Sequence, residues 1–162
     1  MKKLNVNIDH VATLRQARLG SYPNPIDIAK LISSSKASGI VMHLREDRRH
    51  IQDYDLANYK KIIKLPLNLE MAPTPEMVKI ANKIKPQTVT LVPEKRQELT
   101  TEGGLNLKKN LTKVKSLINN LNGAIKIMLF VDPDLKIIDI CKKLDIHGVE
   151  INTGKYCDCL LY

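Results

Sequence analysis

Three features of the sequence predict an α/β fold, a TIM (β/α)8-type barrel that is incomplete here, with about six of eight βα units. Short β-like runs alternate with helical apolar stripes along the chain. No linker or Pro/Gly/Ser-rich boundary interrupts them, so residues 1–162 read as a single domain. The strands also carry polar residues on one face, whereas a sheet covered by helices on both sides reads apolar throughout.

The first strand, Leu4–Ile8, sets Leu4, Val6 and Ile8 against Asn5, Asn7 and Asp9 through the twofold period of extended chain. Pro25 then opens a helical stripe of Ile26, Ile28, Ala29, Leu31 and Ile32. A second strand, Ile40–Leu44, follows the turn at Gly39. The helix after it, Asp53 to Ile63, shows Leu56, Tyr59, Ile62 and Ile63 at helical spacing. In the third strand, Leu67–Met71, Asn68 and Glu70 oppose Leu67 and Leu69. Thr74-Pro75-Glu76 is an N-cap with proline at the first helical position, opening a helix that carries Met77, Ile80, Ala81 and Ile84. Thr88–Val92 is the fourth strand. Leu107–Leu121 is a helix with Leu111, Val114, Leu117, Ile118 and Leu121 in its stripe, and Lys126–Val131 is the fifth strand. Asp132-Pro133 opens a helix through Leu135, Ile138 and Cys141. Val149–Ile151 is the sixth strand, with Glu150 and Asn152 on one face.

Alternation at this spacing predicts parallel βα units. Polar residues on one face of successive strands suit a barrel lumen with a functional mouth better than an open doubly wound sheet. A complete barrel of this kind has eight strands and typically ~250 residues. The chain has 162 and ends soon after the sixth strand, at Cys157-Asp158-Cys159-Leu160-Leu161-Tyr162. The expectation is therefore a C-terminally truncated barrel with unpaired edges on its first and sixth strands.

Composition narrows the class. The chain is 43% hydrophobic and 27% charged, the balance of a soluble globular protein. No apolar run approaches the ~20 residues of a membrane helix, and Asn5, Asn7 and Asp9 break any signal-peptide core. Three cysteines, Cys141, Cys157 and Cys159, imply no disulfide framework and fit a reducing cytoplasmic setting. The net charge of +9 invites a nucleic-acid reading. Against it, most of the positive charge is lysine spread along the chain, and one Phe with no Trp makes a poor base-stacking platform. The six arginines, by contrast, fall in three short segments: Arg15 and Arg18, Arg45, Arg48 and Arg49, and Arg96. Arginine confined in this way marks places where planar, bidentate geometry matters, as in binding phosphate.

His43-Leu44-Arg45-Glu46-Asp47-Arg48-Arg49-His50 is the densest such segment, with seven ionisable residues of eight. At the end of a buried strand it is either a solvated turn or an active-site loop. On a barrel the other polar residues gather at the same mouth. Asn7, Asp9 and His10 close the first strand, Glu70 the third and Glu150 the sixth. The polar stretch from Pro93 to Gly104 follows the fourth, and its length and Gly103-Gly104 pair suggest a lid. Asp9-His10 beside His43, His50 and Glu70 could also be a metal site, although no tight ligand spacing is present. Arg48 and Arg49 read as ion-pair partners of Glu46 and Asp47, and Glu94 is ambiguous between lid chemistry and solvation. His147 reads as part of a surface turn, and Cys157-x-Cys159 as part of an unravelled end.

Five motifs resemble the pyridoxine 5'-phosphate synthase family, in family order. They are Asn7-Ile8-Asp9-His10 running on through Arg15 to Arg18; His43 to His50; Asn68-Leu69-Glu70-Met71; Leu91 to Gly104; and Val149-Glu150-Ile151 with Thr153-Gly154. The resemblance implies a (β/α)8 barrel that assembles into homo-oligomers, octamers in that family, and uses no metal or organic cofactor. It implies condensation of 1-deoxy-D-xylulose 5-phosphate with 3-amino-2-oxopropyl phosphate to pyridoxine 5'-phosphate, phosphate and water, the ring-closing step of vitamin B6 biosynthesis. Carried over by motif, His43 and Glu70 would be acid/base residues, and Glu150 would support a charged transition state. Asp9, His10, Arg45, His50 and Thr100 would hold the deoxyxylulose phosphate, and Asn7 and Arg18 the amino-ketone phosphate. The chemistry suits the residue types, because imine formation, dehydration and ring closure need proton transfer near neutral pH. Two departures stand out. Asn152 occupies a position that is usually His, and the seventh and eighth strands, with a general-acid His and Gly-rich phosphate loops, are absent. An inactive remnant that binds phosphates or subunits is the alternative, and a phosphosugar isomerase or epimerase is open to the fold alone.

Overall fold

The computed structural model describes residues 2–94 and 103–160. Among the described residues, six strands form one parallel sheet in sequential order: β1 (Asn5–Asn7), β2 (Gly39–Leu44), β3 (Leu67–Met71), β4 (Thr88–Leu91), β5 (Lys126–Val131) and β6 (Gly148–Ile151). Seven described helices accompany them: α1 (Asp9–Ala17), α2 (Pro25–Ser33), α3 (Asp53–Ile62), α4 (Pro75–Ile84), α5 (Leu107–Asn119), α6 (Leu135–Cys141) and α7 (Gly154–Leu160). Each strand pairs with the next in sequence, which is the order of an (β/α) barrel, and the sheet curls into a half-barrel with β1 and β6 at its two edges.

The register explains how side chains sort. In a parallel pair, opposed residues share a face. Leu69, Val89 and Ile127 are in register, as are Met71, Leu91, Leu129 and Val149. All but Val149 are buried, under the helices. On the opposite face, Val41, Asn68, Thr88 and Lys126 form one layer, and His43, Glu70, Thr90 and Met128 the next. In β3 the division is regular, with Leu67, Leu69 and Met71 buried and Asn68 and Glu70 half-buried. The polar face is therefore the lumen and the apolar face the helical jacket. Thr90 crosses the lumen floor, its hydroxyl donating to Asn68 Oδ1 at 3.0 Å.

Local signals set the helices. Asn24, Thr74 and Asn106 cap α2, α4 and α5 by accepting backbone N–H groups of the first turn, and Pro25 and Pro75 supply the fixed φ of a helix start. Gly39 has a specific steric reason: a Cβ there would lie 2.9 Å from the Pro66 carbonyl oxygen and 2.7 Å from Asn5 Oδ1.

Several expectations need correction. Residues 9–17, read only as motif, form α1. The sixth helix begins at Leu135 and not at Asp132-Pro133, because Asp134 is its cap and accepts from Lys136 N–H. Cys157 and Cys159 lie within α7, not in an unravelled end. Leu31, Ile62, Leu111 and Leu135 do not join the core and are exposed by 68%, 48%, 38% and 82%. His147 is exposed as expected, yet its ring Nδ1 accepts the Ile127 N–H at 3.2 Å, joining the turn to β5.

Candidate active site at the barrel mouth

The C-terminal ends of β1 to β3 and the loop after β4 bring four ionisable side chains together. Asp9 is the first residue of α1, separated from β1 by Ile8 alone. Its Oδ1 accepts the His43 backbone N–H at 2.7 Å, and its Oδ2 accepts from Asn7 Nδ2 at 2.9 Å. Asn7 in turn accepts the Asp9 N–H at 2.8 Å, so the two side chains hold each other in a closed pair. His43 and Glu70 are register partners on β2 and β3 and therefore point the same way. Their side chains meet with His43 Nδ1 3.8 Å from Glu70 Oε2. On the other side of the ring, His43 Nε2 lies 2.9 Å from Glu94 Oε1. Glu94 Oε2 accepts the Glu46 N–H at 2.9 Å. The His43 ring also meets His50 edge-on, with centroids 5.8 Å apart.

Burial sets the protonation of this group. Loss of water around Glu70 pushes its carboxyl up to about 7; His43 opposes that rise, while Asp9 and Glu150 add to it. Glu150 is also raised, by burial. Burial acts in the same direction on Glu94, but the hydrogen bonds from His43 and the Glu46 N–H outweigh it and hold that carboxyl below its ordinary range. His50 is shifted down, chiefly by burial, with His43 and Arg45 reinforcing and Asp9 and Asp47 opposing. Its Nδ1 accepts the Ile51 N–H at 2.8 Å. The site thus holds one carboxyl poised to exchange a proton near neutral pH beside a carboxylate that stays charged. That is the arrangement acid–base chemistry requires.

The charged loop is shaped by two arginines of different kinds. Arg48 has φ of 52°, in the left-handed region that costs a branched-free but bulky residue energy. Its side chain compensates by donating to the Arg45 and Glu46 carbonyls and pairing with Asp53 and Glu76 at 2.9 and 2.7 Å. Arg49 pairs with Asp47 at 2.6 Å. The structural role expected for both holds, although Arg48 pairs with Asp53 and Glu76 rather than with Glu46 or Asp47. Arg45 is 3% exposed, with Nε 3.5 Å from Asp47 Oδ1, and its charge bears on His50 and Glu94.

Beneath the rim, Arg15 and Asp55 form a buried bidentate ion pair at 2.7 and 2.8 Å, and Arg15 Nη2 also donates to the His50 carbonyl at 3.1 Å. Arg15 thereby ties α1 and α3 to the end of the charged loop. Gln52 N–H completes the Asp55 carboxylate at 2.9 Å.

Of the sequence-derived site residues, Asn7, Asp9, His43, Arg45, His50 and Glu70 fall in this one region. Glu150 lies across the lumen, opposite Phe130 in register, and its charge reaches Glu70. His10 and Arg18 are exposed on α1 and at its C-terminal cap. Thr100 lies outside the described residues, as does Arg96. Glu94 is a residue of this region that sequence reading left undecided; only the fold reveals that its side chain is 5% exposed and within 2.9 Å of His43 Nε2. Asn152, at a position where the resembling family usually has His, donates to Asp132 Oδ1 at 3.0 Å. Asp9, His43 and Glu70 each offer a donor atom within 4.8 Å of the others, so they are the described residues that could hold a cation. A cavity of about 440 Å³ lies alongside and shares Glu46 and Glu94, but it is lined otherwise by Thr74, Gly104, Asn106 and Lys113. His43 and Glu70 face the open lumen instead, which six strands do not enclose. No helix among the described residues is long and apolar enough to cross a membrane.

Comparison with known proteins places the chain in a family. A family model described as pyridoxal phosphate biosynthesis protein PdxJ matches residues 4–161. The chain is 53% identical over 156 residues to a pyridoxine 5'-phosphate synthase of Ehrlichia chaffeensis, covering 96% of this chain and 65% of that protein. It is 54% identical over 159 residues to that of Pelobacter propionicus, covering 98% and 66%. Against that of Desulforapulum autotrophicum it is 50% identical over 161 residues, covering 99% and 67%. The chain thus spans about two thirds of the length of these relatives. On the strength of the family model and these relatives, the chain belongs to the PdxJ family of pyridoxal phosphate biosynthesis proteins.

Proposed function

We propose that this chain supplies the acid–base half of a pyridoxine 5'-phosphate synthase site. The reaction would condense 1-deoxy-D-xylulose 5-phosphate with 3-amino-2-oxopropyl phosphate and release phosphate and water. The observation that carries the reading is the meeting of His43 and Glu70, with the Glu70 carboxyl pushed up to about 7. A carboxyl that exchanges a proton near neutral pH, with an imidazole 3.8 Å away, suits the successive imine, dehydration and ring-closing steps.

In this reading His43 and Glu70 move protons at the reacting carbons and oxygens. Glu150 supports positive charge that develops across the lumen. Asp9, His10, Arg45, His50 and Thr100 hold the deoxyxylulose phosphate, with Arg45 as the cationic partner of the ester. Asn7 and Arg18 take the amino-ketone phosphate. The protein works as a cytoplasmic homo-oligomer, and the substrates are small phosphorylated molecules rather than nucleic acid.

A second reading is binding of phosphate esters or subunits without turnover. The general-acid His and Gly-rich phosphate loops that the resemblance implies belong to the third of the relatives' length that these 162 residues do not span. One experiment separates the two. Mixing both substrates with the protein and detecting pyridoxine 5'-phosphate supports the synthase. Thermal stabilisation by the substrates without product supports the binding remnant.

A further inference from the structure

We propose that Glu94 is a positioning residue that fixes His43 as the Nε2–H tautomer and leaves Nδ1 as the nitrogen that exchanges protons opposite Glu70. The catalytic consequence rests on the acid–base reading of His43 above. The tautomer is a property of the resting protein and can be read without turnover.

The argument starts from what a carboxylate can do. It accepts hydrogen bonds and donates none. Glu94 Oε1 lies 2.9 Å from His43 Nε2, with side chains 5% and 7% exposed. A proton must sit between them, and the Glu46 N–H already occupies Oε2 at 2.9 Å. The proton therefore resides on Nε2. In a neutral imidazole the other nitrogen then carries the lone pair. That nitrogen is Nδ1, 3.8 Å from Glu70 Oε2, a separation longer than a hydrogen bond. Ring rotation that would exchange the two nitrogens is opposed from two sides: the ring packs edge-on against His50, and Glu94 is itself anchored to the charged loop through Glu46.

The arrangement also makes the carboxylate hard to replace. Two donors, the His43 ring and the Glu46 backbone, each need an acceptor oxygen. A glutamine at the same place has one oxygen and an NH₂ group. One bond must be lost, and if the amide oxygen stays on the backbone N–H, the NH₂ faces Nε2 and favours the opposite tautomer.

The test is nitrogen-15 NMR of histidine-labelled protein, with His43 assigned by its loss in His43→Ala. At a pH where the ring is neutral, the wild type is expected to show Nε2 protonated and Nδ1 bare. Glu94→Gln is expected to reduce that preference by about tenfold or more, the worth of a hydrogen bond to a charged group. Glu94→Asp, which keeps the carboxylate, is expected to restore part of it. Arg48→Ala loosens the same loop without touching the ring, and the tautomer should not move. A wild-type ring protonated at Nδ1 overturns the proposal, as does an unchanged preference in Glu94→Gln or an equal loss in Arg48→Ala. If Glu94→Gln fails to fold, the wild-type spectrum alone decides. If the tautomer is as stated and no pyridoxine 5'-phosphate forms, the catalytic reading fails and this assignment stands.

Discussion

Asp55→Ala is expected to be among the most damaging single substitutions in the chain. Asp55 is 1% exposed and its carboxylate receives both Arg15 guanidinium donors and the Gln52 N–H. Removing it strands a guanidinium that is itself 2% exposed and takes away the N3 partner of the box that caps α3. Breaking one side of a buried pair costs about 3–5 kcal/mol, because the remaining charge stays buried and uncompensated. With a urea dependence of about 2 kcal/mol per molar for a domain of this size, the unfolding midpoint should fall by roughly 2 M. The double variant Arg15→Met with Asp55→Leu removes both charges and should recover most of the loss, since a well-packed apolar pair of similar volume is often no less stable. Circular dichroism through a urea titration reads both. A midpoint shift under about 0.5 M for Asp55→Ala, with unchanged slope, would refute the reasoning. So would a double variant as unstable as the single one.

Other outcomes follow from the same geometry. Glu70, pushed up to about 7 by burial, favours the fold when protonated, so its contribution is complete below the ordinary carboxyl value and is lost as pH rises through 7. Glu70→Gln should therefore gain about 2–3 kcal/mol over wild type between pH 4.5 and 7.5, measured by urea unfolding at both; parallel pH curves would count against a buried carboxyl. His50 is shifted the opposite way, so its contribution holds above the ordinary imidazole value and fades as the solution is acidified, and His50→Gln should flatten that fall. Gly104→Ala places a Cβ on the backbone of Val131 and Asp132, and should cost about 1–3 kcal/mol of stability, with a lowered melting temperature as the readout. Thr74→Ala removes the cap on α4 and should cost about 1 kcal/mol in the same assay.

How much of this was legible in the sequence depended on whether a residue's role is local. Strands β3 and β5 match expectation to the residue, β3 because its alternation of Leu and Met with Asn68 and Glu70 directly encodes which face is buried, and β5 because it is a short apolar run bounded by Lys126 and Asp132. The capped helices α2 and α4 were equally plain. Helix α1 was missed because its buried face is built from Ala12 and Arg15, and a buried arginine leaves no apolar stripe. Only a partner 40 residues away, Asp55, makes that burial tolerable. The same limit applies at the site. The motifs named His43, Glu70, Asp9 and Arg45, and register alone places the first two together. Glu94 sits in a run of charged residues with no local mark of burial; its pairing with His43 spans 51 positions. The exposed Leu31 and Leu135 err in the other direction, since spacing cannot tell the flank of a buried arc from its centre.

The central claim is that side chains from separate βα units form one site for a phosphorylated substrate. Titrating 1-deoxy-D-xylulose 5-phosphate into histidine-labelled protein tests it most directly. The account predicts saturable shifts of the His43 and His50 resonances together, little change at His147 on the far turn, and loss of the response in Arg45→Ala. Shifts confined to His147, or an identical titration in Arg45→Ala, would contradict it.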